Sequence, residues 1–570
     1  MKSKLIRIIC ENDGREMMVE VGTSLLEIAA SLGTGAPEPG GGTKKDGTQG
    51  ARPLAACVNN NVKELGYVVF EPVSVRFIDI THFEGHRVYE RTLFFALSKA
   101  VHDLWPGSKF RIKHSVSRGF YSEISGFDEV TPGMIAQIKE RMAQLIAADL
   151  PIEKGRVLYE EAREKYAALD YDDKITLLET RPRLYVSLYT LGDVVGYFYG
   201  ALAPSTGYVG LYDLRPYHNG MYIAVPRRTD PDKLYTMVPQ HKMMEVFAEH
   251  NAWVSVMGVP DIGRLNRRIQ EGEASDLIKV AESFHEKKLS AIADAVLTAH
   301  REKGTRLILL SGPSSSGKTT TAKRLGIQLQ VSGLRPVMIS LDDYFVDREK
   351  TPLDEAGEYD YESFEAIDHR RFNDDLGRLL KGESVVIPRY DFITGKRMWH
   401  DSPLELNERS VLIVEGIHAL NPRLTDTLPD DARFRVYVSA LTSIGMDNLS
   451  RIPTTDNRLV RRMVRDSVTR GADASATLRR WQSVRRGEEK HIFPYQEQAD
   501  AMFNSSLFYE LPVLKDYVVP LLRSVPNNIP EYAEARRLLK LMDFFVAIPP
   551  AEIPPTSILR EFIGGGSFKY

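Results

Sequence analysis

Residues 306–320 read RLILLSGPSSSGKTT, so the chain passes from a short apolar run into Gly312-x-x-x-x-Gly317-Lys318-Thr319 and then into a helical pattern. This spacing is typical of a phosphate-binding loop. The glycines let backbone N–H groups curl around an anion, and the following helix adds partial positive charge from its N-terminus. The lysine reaches the β- and γ-phosphates, and the threonine hydroxyl ligates Mg²⁺. The stretch therefore predicts a nucleoside triphosphate site.

The predicted nucleotide contacts come from the loop and the first turn of its helix. They are Gly312, Pro313, Ser314, Ser315, Ser316, Gly317, Lys318, Thr319 and Thr320. The apolar strand before the loop and the helix after it are the context that the motif requires. A Gly/Ser-rich turn that matched the pattern by chance would not be expected to have that context.

Two carboxylates follow predicted strands near the loop. Asp342 comes after the apolar run Pro336–Leu341, and Glu415 follows the run Ser410–Val414. Ligands of an open parallel α/β sheet sit at the carboxyl ends of its strands, so both acids should point at the phosphates. One carboxylate would accept the proton of a substrate hydroxyl, and the other would help to hold Mg²⁺. Because side chains alternate along a strand, Asp342 and Asp343 should not both face the site.

A basic stripe follows the predicted strand Phe434–Val438. Arg458, Arg461, Arg462 and Arg465 recur at spacings of three and four, which places them on one face of a helix. Four cations on one stripe repel one another unless an anion lies opposite, and a triphosphate would meet that need. A solvated basic face is the alternative interpretation.

The bulk composition is that of an ordinary globular protein. The chain has 570 residues, 43% hydrophobic and 26% charged, with a net charge of −3. Its length predicts roughly three to four domains, and its charge argues against a dominant nucleic-acid-binding surface, although a local basic patch remains open. Cys10 and Cys57 are too few for a disulfide framework, which fits a reducing compartment. No stretch approaches the roughly 18 apolar residues of a membrane helix, so we expect a cytoplasmic protein without membrane contact.

The first 80 residues predict a small α+β module. Its expected helix is Thr23–Leu32, with Thr23 or Ser24 as the cap. Its expected strands are residues 4–10, 17–21, 54–58 and 67–69. Residues 33–52 are rich in Gly, Pro, Thr, Lys and Asp and cannot bury a core, so they are predicted to form a mobile loop.

Several short segments follow in an order that resembles threonyl-tRNA synthetase. They are Phe83-Glu84-Gly85-His86-Arg87-Val88-Tyr89, Gly119-Phe120-Tyr121, Leu188-Tyr189-x-Leu191-Gly192-Asp193 and Pro204-Ser205-Thr206-Gly207. The resemblance implies that residues 1–80 are similar to its ubiquitin-like TGS domain and residues 81–270 to its second additional, editing domain. Residues 271–304 would then be a helical connector to the half that contains the loop.

The editing residues of the synthetase are not matched. Its editing domain carries a His-x-x-x-His pair, where alignment places Arg91 and Phe95, and a Cys-x-Gly-Pro-His segment. Phe198, Gly200, Ala201 and Leu202 stand over that second segment. Phe and Leu can neither ligate a metal nor shuttle a proton, so the editing chemistry should be absent. The N-terminal half would be a scaffold that keeps an RNA-binding or partner-binding surface, or serves only oligomerisation or regulation.

Residues 305–510 resemble the uridine–cytidine kinase and phosphoribulokinase family. The matching segments are Gly312–Thr320, Ser340–Tyr344, Glu365–Asp368, Ile387-Pro388-x-Tyr390-Asp391-Phe392, Val414–Ile417 and the Asp-x-Arg-x-x-Arg-Arg-x-x-Arg-Asp run at 456–466. By this resemblance Asp342 is the catalytic base, assisted by Lys318, Arg458 and Arg462. Thr319, Asp342 and Glu415 would be metal-side residues, and the helix with Arg461 and Arg465 would be part of a lid over ATP.

The acceptor pocket departs from the family. Pyrimidine nucleoside kinases use a histidine after Tyr-Asp-Phe to read the base, and Gly395 stands at that position. The candidate substrate residues are Tyr344, Glu362, Tyr390, Lys396 and Arg397. Glu362 replaces a ribose-binding aspartate, and the Lys396–Arg397 pair would suit an anionic substrate. Residues 440–455 add length before the lid helix.

We therefore expect an α/β protein in which a P-loop NTPase-type parallel-sheet kinase domain, residues 305–570, follows TGS-like and editing-like domains. The predicted activity is MgATP-dependent phosphorylation of a small-molecule hydroxyl, with the 5′-hydroxyl of a pyrimidine nucleoside as the favoured acceptor. One alternative is a kinase of a sugar phosphate or polyol. Another is an ATP-dependent RNA-binding or regulatory protein with a tRNA-like partner. A homo-oligomer is expected, and the tail with Gly564–Gly566 is predicted to be flexible.

Overall fold

The computed structural model describes residues 4–33, 52–181, 183–354 and 357–569. The predicted mobile loop at residues 33–52 lies outside the described residues except for its two end residues. Within the described part of the chain, no helix is both long enough and apolar enough to cross a membrane.

The N-terminal unit is one mixed sheet with a helix against it. Its strand order is β2-β1-β5-β3-β4. Its elements are β1 Leu5–Cys10, β2 Glu16–Glu20, α1 Leu25–Ser31, β3 Ala55–Val58, β4 Asn61–Lys63 and β5 Val73–Ile78. Ser24 caps α1, and its side chain and Glu27 exchange hydrogen bonds with each other's backbone N–H groups, as in a capping box. The α+β prediction for this unit is therefore confirmed.

The predicted strand at Tyr67–Val69 is wrong. Only Val68 makes a bridge, to Ser24. The carbonyl of Tyr67 instead accepts the Leu25 N–H at 2.9 Å, and the carbonyl of Leu65 accepts the Leu26 N–H at 2.8 Å. The first N–H groups of a helix lack acceptors within the helix. This segment satisfies those of α1, so its backbone is not available for a sheet.

The second unit packs a long helix against two small sheets, of strand orders β11-β12-β7-β6 and β10-β9-β8. Its elements are α2 Phe83–Leu104, β6 Phe110–Val116, β7 Gly119–Ile124, α3 Pro132–Ala147, β8 Glu153–Leu158, α4 Tyr159–Ala168, α5 Asp172–Glu179, β9 Tyr185–Leu191, β10 Val194–Gly196, β11 Asp213–Tyr217, β12 Gly220–Ala224, β13 Pro226–Arg227 and β14 Asp230–Leu234. Three helices then lead onward: α6 His241–Val256, α7 Ile262–Gln270 and α8 Ala274–Lys303.

The residues aligned with the synthetase's editing site lie together between α2 and β10. The rings of Phe95 and Phe198 meet edge-on, with centroids 5.4 Å apart. The Arg91 guanidinium fills the space beside Gly200, where a Cβ would overlap it, and its Nε donates to the Ala201 carbonyl at 2.9 Å. Packed aromatic and guanidinium groups thus occupy this position. The loss of editing activity stays a prediction.

The C-terminal unit is a parallel sheet covered by helices. Its strand order is β16-β19-β15-β20-β21, and every neighbouring pair is parallel. Its elements are β15 Leu307–Ser311, α9 Lys318–Val331, β16 Arg335–Ser340, α10 His369–Leu380, β17 Pro388–Asp391, β18 Lys396–Trp399, β19 Ser410–Glu415, β20 Arg433–Ser439, α11 Thr454–Arg470, α12 Ala474–His491, β21 Ala501–Asn504, α13 Glu510–Arg523, α14 Tyr532–Met542 and α15 Arg560–Ile563. Strands β15 and β19 are buried along their whole length, as expected of a sheet covered on both faces. The α/β prediction is confirmed.

The apolar run Val385–Ile387 reads as a strand in the sequence but lies outside β17 in the structure. Val385 makes a single bridge, to Leu404, and the strand begins at Pro388. Proline has no N–H to contribute to a ladder, which suits the first residue of a strand. Strand β17 pairs antiparallel with β18, so Tyr390 lies in a hairpin, and Gly395, at φ +70°, helps to close its turn.

The residues before α11, which the sequence comparison predicted as added length, join the two halves of the molecule. The N–H of Ile112, on β6, donates to the Asn448 carbonyl at 2.9 Å, and the N–H of Ile262 donates to the Gly445 carbonyl at 3.0 Å. Lys174 and Asp447 form a fully buried ion pair at 2.6 Å. We call residues 440–453 the tether, because this segment binds the C-terminal unit to the N-terminal half.

A buried charge network also reaches α11 from the N-terminal half. Arg87 of α2 donates to Glu534 at 2.8 Å, and Glu534 accepts from Arg537 at 2.7 Å. Arg537 holds Asp456, near the start of α11, through two hydrogen bonds of 2.6 and 2.8 Å. Both halves thus fix the start of α11. The division into domains at residues 80, 270 and 304 falls between elements and stays a prediction.

The predicted flexible C-terminus is wrong. Ile558, Leu559 and Phe562 are fully buried in the same core as the parallel sheet. The Arg560 guanidinium donates to the carbonyls of Ile553 and Pro550 at 2.6 and 3.1 Å. The glycine run favoured a flexible tail, but the apolar residues just before it decide where the segment packs.

Candidate active site

Close packing against neighbouring elements shapes the loop between β15 and α9. A Cβ at Gly312 would overlap the carbonyl oxygen of Val438 on β20, so only glycine fits there. Gly317 precedes α9 at φ +81°, and Ser315 also has a positive φ, of +57°. The loop therefore bends tightly into the N-terminus of α9, the kind of backbone that binds an anion.

Glu415 lies at the centre of the strand ends. In the register of the parallel sheet it is level with Leu310 of β15 and Ser340 of β16. Its Oε1 accepts hydrogen bonds from Thr319 Oγ1 and Ser340 Oγ, both at 3.2 Å. Burial and the neighbouring Asp342 charge raise the pKa of Glu415 to about 7, although Lys318 opposes the rise. Because burial and the Asp342 charge disfavour the ionised form of Glu415, a cation bound beside this carboxylate would stabilise it.

Asp342 and Asp343 point to different sides of the strand end. They lie in one turn of 3₁₀ helix, Leu341–Tyr344, where successive residues are about 120° apart. Burial raises the pKa of Asp342, and Lys318, Arg470 and Arg465 partly offset the rise. Asp343 instead accepts the Tyr390 N–H of the hairpin at 3.3 Å. Asp342 is thus the carboxylate within electrostatic reach of the loop lysine.

Arg458 and Arg461 are fully buried and already have anionic partners. Arg458 pairs with Glu488 of α12, and its Nε donates to the Ser314 carbonyl at 2.9 Å. Glu488 also accepts the Ser314 N–H at 3.0 Å. Arg461 pairs with Glu510 of α13 and donates to the Ser505 carbonyl at 2.8 Å. The anions that the basic stripe needs therefore include protein carboxylates, and these two arginines brace the loop.

Arg462 and Arg465 lie nearer the open side of α11. The Arg462 guanidinium donates to Ser314 Oγ at 2.8 Å and pairs with Asp466 at 3.3 Å. Arg465 pairs with Asp466 at 2.9 Å. The four predicted arginines thus divide into two that hold the back of the loop and two that share one carboxylate beside it.

The predicted acceptor residues have different surroundings. Tyr344 is fully buried and donates to Asp375 Oδ2 at 3.2 Å. Lys396 pairs with Glu349 at 2.9 Å on the hairpin, and Arg397 pairs with Asp368 at 2.9 Å. Tyr390 packs edge-on against Phe345, with centroids 5.6 Å apart. Three of these four polar groups therefore have partners within the protein.

Glu362 and Tyr390 are the two acceptor candidates with a buried polar atom that lacks a hydrogen-bond partner among the described residues, and the surroundings of Glu362 are the more polar. Within the described residues its buried Oε2 has no hydrogen-bond partner. Burial raises its pKa to about 7, with Arg462 opposing and Glu488 adding to the rise. A buried polar atom without a partner is costly and points to a ligand that completes it.

Sequence reasoning missed Glu488, Glu510, Arg470 and Glu561. Glu488 and Glu510 lie 30 and 49 positions after the arginines that they hold. Neither stands in a motif, so short-range spacing gave no signal for them. The unbalanced charge of the arginine stripe was the one indication that buried acids must exist.

The side chains around the loop fit a triphosphate and Mg²⁺. In the described part of the chain, the buried hydroxyls of Ser315 and Ser316 lack hydrogen-bond partners and could donate to phosphate oxygens. Thr319 and Glu415 bring two oxygens together, and Mg²⁺ commonly takes one or two protein oxygens together with waters and phosphates. No group of three or more His, Cys, Asp or Glu side chains arranged to hold a metal occurs among the described residues.

Known proteins of two kinds match different parts of the chain. Residues 307–508 match the model of the phosphoribulokinase/uridine kinase family. A uridine kinase of Staphylococcus aureus is 28% identical over 199 residues, which are 35% of this chain and 86% of that protein. A threonine–tRNA ligase of Desulforamulus reducens is 29% identical over 196 residues, 34% of this chain and 29% of that protein. The chain thus matches only about 29% of the length of such ligases.

Among solved structures, D-glycerate 3-kinase from Cryptococcus neoformans is 13% identical, with a TM-score of 0.28, over 36% of this chain and 89% of that one. The family match coincides with the strands that bring Asp342, Glu415 and the loop together. The chain therefore combines an N-terminal region similar to threonine–tRNA ligases with a region, residues 307–508, that matches the phosphoribulokinase/uridine kinase family model.

Proposed function

We propose that this protein is a kinase that uses MgATP to phosphorylate a hydroxyl of a small molecule, with the 5′-hydroxyl of a pyrimidine nucleoside as acceptor. The observation that carries the proposal is the convergence of Lys318, Asp342 and Glu415 where three neighbouring parallel strands end. The family match over residues 307–508 supports the reaction class.

Asp342 acts as the base in this proposal. It takes the proton of the acceptor hydroxyl as the oxygen attacks the γ-phosphorus. Burial makes this carboxylate more basic than an exposed aspartate, and Lys318 keeps enough of it ionised to accept a proton. Lys318 and Arg462 lower the energy of the negative charge on the transferring phosphoryl group. Bound Mg²⁺ would neutralise phosphate charge, and Thr319 and Glu415 are the residues that would hold it.

Arg458 and Arg461 have a different role in the proposal from the one that their spacing predicted. Because both are paired with buried carboxylates, they fix the carbonyls of Ser314 and Ser315 and so hold the loop in shape. Positioning supplies much of the catalysis in phosphoryl transfer. Arg462 and Arg465 are left as the lid arginines that face the nucleotide.

The acceptor assignment is supported by Glu362. A buried carboxyl group with a partnerless oxygen can accept hydrogen bonds from vicinal hydroxyls such as those of a ribose. Gly395 stands where related kinases read the base with histidine. The Arg348 side chain fills the space beside it, since a Cβ at Gly395 would lie 2.6 Å from Arg348 Nε. The ion pairs of Lys396 and Arg397 weigh against the anionic-acceptor alternative.

The base assignment is tested by comparing Asp342→Asn with Asp343→Asn, its neighbour on the hairpin side. We expect Asp342→Asn to lower kcat by about 10²–10⁴-fold, the usual size of a lost general base, while the Kd of ATP changes little. Asp343→Asn should stay within a few-fold of wild type. ADP release with uridine, cytidine, other nucleosides, sugar phosphates and polyols is the measurement.

Wild-type turnover in Asp342→Asn would refute the base. If no nucleoside gave ADP release but another hydroxyl compound did, the kinase activity would be supported and the nucleoside acceptor refuted. A tRNA-like partner for the N-terminal region is a second candidate function, supported by its similarity to threonine–tRNA ligases. A gel shift with tRNA that weakens as salt rises would support it.

A further inference from the structure

The C-terminal segment, defined here as residues 550–569, lies against the phosphate-binding loop. Ile558 touches the turn into α9 so closely that a Cβ at Gly317 would lie 2.8 Å from its Cγ2. The ring of Phe562 lies under the buried Arg461 guanidinium, 5.0 Å from its centroid. These contacts place α15 between the lid helix α11 and the start of α9.

Glu561 extends from α15 to the N-terminus of α9. Its Oε2 accepts the backbone N–H of Thr320 at 3.3 Å and the Thr320 hydroxyl at 2.5 Å. Thr320 is the third residue of α9, so its N–H has no acceptor within the helix, whereas the Thr321 N–H already returns to Gly317 at 2.9 Å. The Glu561 carboxylate therefore uses a donor of the kind that a phosphate-binding loop offers to its anion.

The surroundings of Glu561 are already acidic. Glu415 and Asp342 lie nearby, and Glu561 contributes to the raised pKa of Glu415. A triphosphate on this loop would bring more negative charge to the same donors. Two anions cannot share one N–H and one hydroxyl at hydrogen-bond distance, and their mutual repulsion is strong in a partly buried site.

We propose that the Glu561 carboxylate occupies a phosphate position of the loop, so that a nucleoside triphosphate must displace it to bind. The C-terminal segment is then an autoinhibitory contact built into the kinase domain. This inference rests on the proposed function, because it takes the loop's ligand to be a nucleotide. It adds that nucleotide affinity is set by a competition within the chain.

The test measures the Kd of MgATP and of adenosine for the full chain and three variants. Glu561→Gln keeps the shape and removes the charge, Glu561→Ala removes the contact, and Glu552→Gln removes an exposed charge from the same segment. We expect ATP to bind about tenfold more tightly to Glu561→Gln, as for loss of one like charge in a partly shielded site. Glu561→Ala should bind at least as tightly, and Glu552→Gln should match wild type.

Adenosine separates displacement from a general opening of the site. It has no phosphate, so its Kd should be the same in all four proteins. If ATP and adenosine gained equally, or if ATP bound equally or more weakly in both Glu561 variants, the competition would be refuted while the proposed kinase stood. If none of the four proteins bound ATP, both the competition and the proposed function would be refuted.

Discussion

Glu362 shows what one buried carboxyl group costs this protein. Its pKa is raised from 4.5 to about 7, first by burial. Between these values the native state holds a proton that the unfolded state has released, so stability falls as pH rises through this window. Below it Glu362 is neutral in both states, and above it the native state contains a buried charge.

We therefore expect Glu362→Gln to raise the free energy of unfolding at pH 8, on the order of 1–3 kcal/mol, and to change it little at pH 5. Urea denaturation at the two pH values measures the difference. Glu358→Gln is the control, because Glu358 lies four positions before Glu362 and its side chain is exposed. Equal shifts at both pH values would mean that shape, and not charge, sets the effect.

For single residues, the sequence predicted the loop between β15 and α9 but not the distant side chains that hold it in place. The loop depends on glycines that allow its backbone shape and on one lysine and one threonine at fixed positions. A local sequence motif contains all of these residues. Glu488 reaches the same loop from a helix 174 positions away from Ser314. Its role depends on how α12 packs, which local spacing does not encode.

Among the elements, the tether is the one whose role the sequence left open. It appeared only as extra length before α11, yet it forms the main-chain contacts between the halves. Strands with apolar runs of their own were predicted at nearly their observed bounds, as at β16, β19 and β20. The strand predicted at Tyr67–Val69 and the flexibility predicted for the C-terminal segment were wrong because the packing partners of both segments lie far away in the sequence.

The buried pair within the tether gives a direct test. Lys174→Met leaves the Asp447 carboxylate buried without its cation, so we expect the free energy of unfolding to fall by about 3–5 kcal/mol. Adding Asp447→Asn removes the stranded charge and should recover part of the loss. Chemical denaturation of both variants measures this.

Lys113→Met is the matched control, because its pair with Glu123, at 3.2 Å, is partly exposed to solvent. Its loss should stay below about 1 kcal/mol. A Lys174→Met effect no larger than that would mean that the tether does not anchor the two halves.

At the scale of the whole molecule, the two halves share buried charges. A chain of residues 271–570 would lack Lys174 and Arg87, which leaves Asp447 without its cation and leaves the Asp456 and Glu534 carboxylates with Arg537 but without Arg87. We expect it to unfold at a lower temperature than the full chain and to release ADP only while it remains folded. Circular dichroism and ADP release over the same temperature range measure both.

A chain that lacks only residues 1–79 is the comparison, because it keeps these buried pairs and should lose less stability. Complete inactivity of a folded 271–570 chain would show that the N-terminal half contributes to the site itself.

The packing of Ile558 and Phe562 on the loop also has a consequence for the making of the protein. A ribosome adds Ile558 about 240 residues after Gly317. At about 5–20 residues per second, this separation is roughly 10–50 s of synthesis. During that time the N-terminal half can fold, while the loop and the apolar side of α11 await the segment that covers them. The candidate active site is thus among the last parts of the newly made chain to take its final shape.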